Sequence, residues 1–267
     1  MRKNGILMHI SSLPGKQGIG TMGESAYKFV DFLHESLQSY WQLLPICPTS
    51  YGDSPYQSYS TFAGNPYFID LDMLCAMGLL KIEDYAGVDY GAKTDAVDYG
   101  ALYELRYPIL KIAAANFDID DTSYNEFLAN NEYWLENYAL FMSLKDCHFG
   151  KSWWQWEEPY RYAYANELEL FKSEHKEELE FWKIIQYLFF SQWEKLKSYA
   201  NSKGISVIGD LPIYVSLDSV DVWSDPKQFQ LDDKRMPREV SGCPPDGFSK
   251  VGQLWGNPLF DWDYMEK

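Results

Sequence analysis

Short apolar runs bounded by turn formers alternate along the chain with longer stretches of helical period. Gly5–Ile10 (GILMHI) is one such run and predicts a buried strand ending near His9. A loop through Pro14 and Gly15 follows. From Gly23 onward Ala26, Phe29, Val30, Leu33 and Leu37 recur at three- and four-residue steps, which predicts an amphipathic helix, and Trp41–Ile46 predicts a second strand. Strand, helix and strand within about 40 residues make the β/α unit of a parallel sheet. The unit recurs late. Glu177–Tyr199 places Trp182, Ile185, Phe189, Trp193 and Leu196 on one stripe, stops at Lys203–Gly204 with glycine suited to the position past the helix end, and gives way to a strand over Ile205–Asp210. Ligands gather at the C-terminal ends of parallel strands, so His9, Pro45 and Asp210 are expected on one rim.

Between Leu71 and Ser173 the sequence mixes acidic and aromatic residues in helical or irregular patterns, with no clear strand. The expected organisation is therefore residues 1–72 as the first β/α part with a ligand-binding loop, 73–173 as a mainly helical insertion, and 174–267 as the continuation. About three βα units are visible. A closed eight-stranded barrel needs about 250 residues without insertions, so the expectation is an incomplete α/β architecture.

Two runs break every period. GDSPYQSYSTFAGNPYFIDL (Gly52–Leu71) and PPDGFSKVGQLWGNPLFDWD (Pro244–Asp263) are interrupted by Gly, Pro and Asn and predict loops, with Tyr, Phe and Trp set among short donors and acceptors. That mixture suits a neutral polyhydroxylated ligand, whose C–H faces lie on aromatic planes and whose hydroxyls meet Asp, Asn, Gln and Ser. A pair of rigid surface loops is the plainer alternative.

Charge narrows the partners. With 23 basic against 39 acidic residues, the formal charge of −16 argues against nucleic acid and anionic membranes, whereas a neutral substrate is not penalised. Aromatic residues reach 17%, more than a core normally requires, so some are expected to face ligand. Cys47, Cys75, Cys147 and Cys243 form no C-x-x-C pair, and reduced thiols in a cytoplasm are expected. MRKNGILMHISSLPG has no signal-peptide pattern, and no stretch approaches the roughly 20 apolar residues of a membrane span, so a soluble protein is expected.

Other chemistries find little support. Gly18, Gly20 and Gly23 match G-x-G-x-x-G, but a loop containing Pro14 separates them from the strand, and no acidic residue ends the next strand; a tight turn is expected instead. His9, His34, His148 and His175 show no metal-ligand spacing, and no G-x-S-x-G elbow occurs. Carboxylates remain. Glycoside chemistry uses two of them about 5–5.5 Å apart in retaining enzymes, and Asp210 and Asp246 are the best placed. Asp218, Asp221 and Asp225 are expected as caps or solvated surface; Asp261 and Asp263 stay open between the two roles.

HISSLPGKQGIGTMGESAYKFVDFL, WQLLPICPTSYGDSPYQSYSTFAGNPYFIDLDML, GDLPIYVSLDSVDVW and PPDGFSKVGQLWGNPLFDWDYM together resemble the 4-α-glucanotransferases known as amylomaltases or disproportionating enzymes. The likeness runs in order to Lys267 and is weakest through the helical stretch. It implies a (β/α)8 TIM-type barrel with inserted subdomains, present here as about the first three βα units. It implies transfer of α-1,4-glucan segments to another glucan or glucose, without metal or organic cofactor, by a retaining double displacement. By resemblance, Asp210 matches an acid on the third strand that supports the site rather than attacking. Ser54, Tyr56 and Gln57 match donor-side sugar contacts, while Asp246, Gln253, Trp255 and Asn257 match a mobile acceptor-side loop where Trp255 stacks on a ring. The family pattern has an aromatic residue after PPD; Gly247 here removes a wall from that side.

In the family the nucleophilic aspartate, the acid/base glutamate and a third aspartate follow the W-G-N-P segment, beyond Lys267. The isolated 267-residue chain is therefore expected to be inactive. The alternative is a truncated glucan-binding paralogue, or a fragment that assembles with a partner.

Overall fold

A computed structural model describes residues 2–50, 52–91 and 95–266. In chain order the elements are β1 (Gly5–Leu7), α1 (Glu24–Glu35), β2 (Tyr40–Gln42), α2 (Leu71–Ala76), α3 (Tyr99–Ala115), α4 (Thr122–Cys147), α5 (Glu158–Arg161), α6 (Ala165–Glu174), α7 (Lys176–Ser202), β3 (Ser206–Ile208), α8 (Val220–Ser224), β4 (Val240–Cys243), β5 (Gln253–Pro258) and α9 (Trp262–Met265), with short 3-10 turns between. Two compact units are formed. The first takes Met1–Ile46, Gly64–Glu132 and Phe181–Leu211, and the second takes Cys47–Ala63, Tyr133–Glu180 and Pro212–Lys267.

In the first unit β1, β2 and β3 lie side by side as a parallel sheet in that order, with Gly5 opposite Tyr40 and Tyr40 opposite Ser206. The strands are shorter than the apolar runs that announce them, because Ile10–Ser12 turns into a 3-10 helix before Pro14 and the chain bends after Gln42. Met8 N–H still reaches Gln42 O at 3.1 Å and Leu43 N–H reaches Ile208 O at 2.9 Å. His9, Pro45 and Asp210 thus follow the same, C-terminal end of three parallel strands.

Ala26, Val30 and Leu33 of α1 are fully buried, and Phe29 is half-buried. Leu37 departs from the expected stripe. It lies past the helix end in the left-handed region (φ 56°), where the turn into β2 carries its side chain to 84% exposure. On α7, Trp182, Ile185, Phe189 and Leu196 are buried and Trp193 is half-buried. Gly204 ends that helix with φ 78°, and Ile205 N–H returns to Ala200 O at 2.9 Å.

Polar side chains on α7 also work inside this core. Gln186 accepts from Gly64 N–H (2.7 Å) and donates to Gly64 O (3.0 Å); Gln192 does the same for Asp70 (2.7 and 3.1 Å). Buried backbone groups need partners, and each amide supplies a matched pair. Arg106 of α3 is likewise buried and donates to the carbonyls of Gln17 and Ile69.

The second unit is built on tryptophan. Phe141 of α4, Trp156 and Trp223 of α8 contact one another at centroid distances of 5.4, 5.7 and 6.0 Å. Trp153 Nε1 donates to Leu217 O (2.7 Å) and Trp223 Nε1 to Tyr160 O (2.8 Å), so these indoles are core rather than ligand-facing. β4 and β5 pair antiparallel, Cys243 opposite Gln253, with an irregularity between Val240 and Gly242. The second polar run, expected as loop throughout, therefore contains a strand and the one-turn helix α9. No helix among the described residues is long and apolar enough to cross a membrane.

Candidate functional site

Within the second unit, Cys47–Ala63 folds back on itself. Thr49 and Ser58 form an antiparallel bridge, Ser50 N–H reaches Gln57 O at 2.8 Å, and Asp53 takes the left-handed conformation (φ 58°). Ser54 organises the bend twice: its carbonyl accepts from Gln57 N–H (3.1 Å) and its hydroxyl from Tyr56 N–H (3.3 Å). Ser54 and Gln57 are half-buried, whereas Tyr56 is 44% exposed.

The far side of this loop is pinned by acids that sequence patterns assign to the surface. Asp221 accepts the Thr61 hydroxyl (2.7 Å) and Thr61 N–H (3.1 Å), and Val220 N–H donates to Tyr59 O (2.9 Å). Burial raises the Asp221 carboxyl above its ordinary range, with the Thr61 hydrogen bonds pulling the other way. Burial, and then the Asp221 charge, pushes the nearby Cys47 thiol to about 12. Asp218 is half-buried and pairs at 2.7 Å with Lys145, which is 3% exposed and sits 4.7 Å over the Tyr59 ring. Only Asp225 keeps the expected local role, accepting from Gln228 Nε2 at 2.8 Å.

The segment 240–258 supplies the other residues. Asp246 is exposed, and its Oδ1 accepts from Phe248 and Ser249 N–H, both at 2.8 Å, shaping the turn between β4 and β5. At Gly247 an added Cβ meets nothing within 4 Å, and Phe248 beside it is 98% exposed. Gln253, Trp255 and Asn257 lie on β5, a strand where a mobile loop was expected. Trp255, 40% exposed, donates through Nε1 to Gln253 Oε1 (3.1 Å) and stands 6.3 Å from the Tyr214 ring. Asn257 is 4% exposed; it accepts from Gln57 Nε2 (3.2 Å) and donates to Val215 O (2.8 Å).

Seven of the eight expected residues therefore belong to the second unit, and Gln57 and Asn257 meet directly. Asp210 is half-buried in the first unit, two residues past β3. Tyr214, in the stretch GDLPIYV, stands beside Trp255, and an aromatic so soon after a strand end is the sequence signal for it. The seven residues of the second unit offer amides, hydroxyls and an indole, with Asp246 as the one acid among them and its Oδ1 engaged by two backbone N–H groups, which fits binding a sugar better than breaking its bonds.

The glycines of GIGTMG meet protein, not phosphate. A Cβ at Gly20 would come within 1.9 Å of Ile10 O, and one at Gly23 within 2.0 Å of Asp70 Oδ2. No group of three or more metal-ligating side chains lies among the described residues.

Comparison with known proteins gives the class first: the profile of the 4-alpha-glucanotransferase family matches residues 8–267, and the chain belongs to that family. The 4-alpha-glucanotransferase of Clostridium butyricum is 52% identical over 97% of this chain and 54% of its own length. That of Streptococcus pneumoniae is 47% identical over 100% and 53%. Among solved structures, the amylomaltase from Streptococcus agalactiae in complex with acarbose superposes with a TM-score of 0.94 at 44% identity, over 100% of this chain and 54% of that one. The chain thus spans about half the length of the curated relatives it matches.

Proposed function

We propose that the intact protein is a 4-α-glucanotransferase that moves α-1,4-glucan segments between maltooligosaccharides, or onto glucose, by a retaining double displacement. The observation that carries this is the Gln57–Asn257 hydrogen bond. It joins the SPYQ and WGNP runs, the two stretches whose residue types suit a glucan. Ser54, Tyr56 and Gln57 would contact the donor sugar; Asp246, Gln253, Trp255 and Asn257 the acceptor side, with Trp255 stacking on a ring. Asp210 would support the site without attacking.

The sheet of three parallel strands supports a (β/α)8 barrel represented by its first units, with residues 73–173 as a helical insertion. The nucleophile and acid/base carboxyls are not assigned within residues 1–267, so the isolated chain should show no transfer. Four free thiols support a cytoplasmic setting.

Incubating the intact protein with maltotriose provides the test. A ladder of longer and shorter maltooligosaccharides, with α configuration retained, is expected. Products of hydrolysis alone, or a new β linkage, would overturn the proposal.

A further inference from the structure

A groove of about 880 Å³ lies wholly within the first unit, on α1, the N-terminal half of α4, and α7. None of the residues discussed above as sugar contacts lines it. Its walls follow helical spacing: Ser123, Phe127 and Asn130 on α4 face Phe190, Glu194 and Ser198 on α7. Steps of three to four residues advance about 5–6 Å, on the order of one sugar ring.

The lining repeats the chemistry of the two polar runs on a different part of the molecule. Phe127 and Phe190 are half-buried, 5.8 Å apart and tilted, giving apolar planes beside exposed Asn130, Glu194 and Ser198. Tyr27 of α1 closes one side; its ring meets Tyr199 at 5.0 Å, and the Tyr199 hydroxyl is fixed on Asp31 at 2.6 Å. Among the described residues lining the groove, Lys195 is the one base against Glu126 and Glu194, which disfavours phosphates and other anions. An apolar ligand would take the exposed Asn130, Ser198, Glu126 and Glu194 out of water without offering them hydrogen bonds. A neutral polyol satisfies both kinds of wall.

We infer that this groove is a second binding site for a linear α-1,4-glucan, separate from the sugar-binding residues of the second unit. The choice of glucan among neutral polyols rests on the proposed function; the polyol chemistry of the groove does not. Such a site would hold a long chain in the protein's vicinity between transfers, raising its effective concentration at the reactive site.

The experiment is calorimetric titration of the intact protein with maltoheptaose, comparing wild type, Phe127→Ala, Asn130→Arg and Trp255→Ala. Asn130 is exposed on a helix that arginine suits, so Asn130→Arg blocks the groove even if Phe127→Ala folds poorly. Two classes of site are expected in wild type. The groove variants should weaken one class by about tenfold or remove it, while Trp255→Ala affects only the other. An isotherm unchanged by both groove variants overturns the inference. If Trp255→Ala changes nothing while Asn130→Arg abolishes binding, the groove stands and the assigned acceptor site falls. Absence of any maltoheptaose binding in wild type refutes both.

Discussion

The Nε2 amide of Gln57 donates to Oδ1 of Asn257 across 3.2 Å, joining residues 200 positions apart in the chain. Asn257 in turn holds the Val215 carbonyl at 2.8 Å, so one buried amide ties three segments of the second unit. Removing it as Asn257→Ala strands a buried carbonyl and should cost about 1–3 kcal/mol in a urea titration. Gln57→Ala, at a half-buried partner, should cost less stability and raise KM for maltotriose. Equal stability losses in the two variants would contradict this hierarchy.

Trp255 should act on the acceptor. In the intact enzyme Trp255→Ala is expected to raise the acceptor KM about three- to tenfold, the worth of one aromatic platform, with a smaller change in kcat. Kinetics identical across glucose, maltose and maltotriose acceptors would remove Trp255 from the site.

Gly247 has room for a side chain and a φ outside the left-handed region. Gly247→Tyr should therefore fold with stability within about 0.5 kcal/mol of wild type. It should also lower the acceptor KM and shift the product ladder, read by chromatography of maltotriose digests. A large loss of stability would mean the turn is less open than its geometry indicates.

His9 is 9% exposed, its Nδ1 has no hydrogen-bond partner among the described residues, and burial lowers its pKa to about 4. The folded state therefore resists protonation while the unfolded chain accepts it near 6.5. Stability from this group is complete above pH 6.5 and declines as pH falls towards 4, by up to about 3 kcal/mol. Urea midpoints at pH 7.5 and 5.0 should fall more steeply for wild type than for His9→Gln. Parallel slopes would exclude His9 as the cause.

The Lys145–Asp218 pair is buried on the lysine side. Asp218→Asn alone leaves a buried ammonium short of its counter-charge and should destabilise by about 3–5 kcal/mol, whereas Lys145→Met with Asp218→Leu should recover much of that loss. A double variant as unstable as the single one would show that packing around Tyr59, not charge, holds this loop.

Periodicity revealed the helices whose apolar faces are continuous: α1 and α7 appear within a few residues of their expected ends, and the parallel strands fall where short apolar runs stood. Leu37 misled because hydrophobic identity says nothing of a left-handed turn. β4 and β5 were invisible for a physical reason: most of their residues are exposed, so no alternation marks them, and backbone pairing sets their register. Asp218 and Asp221 were likewise misplaced, since a half-buried, partnered acid differs from a solvated one only through partners such as Lys145 and Thr61, distant in sequence. The two runs proposed to bind sugar stand out by composition and resemblance; their junction at Gln57 and Asn257 required the fold.

The turn between β4 and β5 is shaped by the Asp246 carboxylate, carries unoccupied space at Gly247, and turns Phe248 outward. Substitution at Gly247 is nearly uncoupled from folding, so under the proposed acceptor-side role the product spectrum would drift by a single codon change while selection on stability stays silent. Lineages sharing this architecture would then diverge in the glucans they make well before their cores diverge.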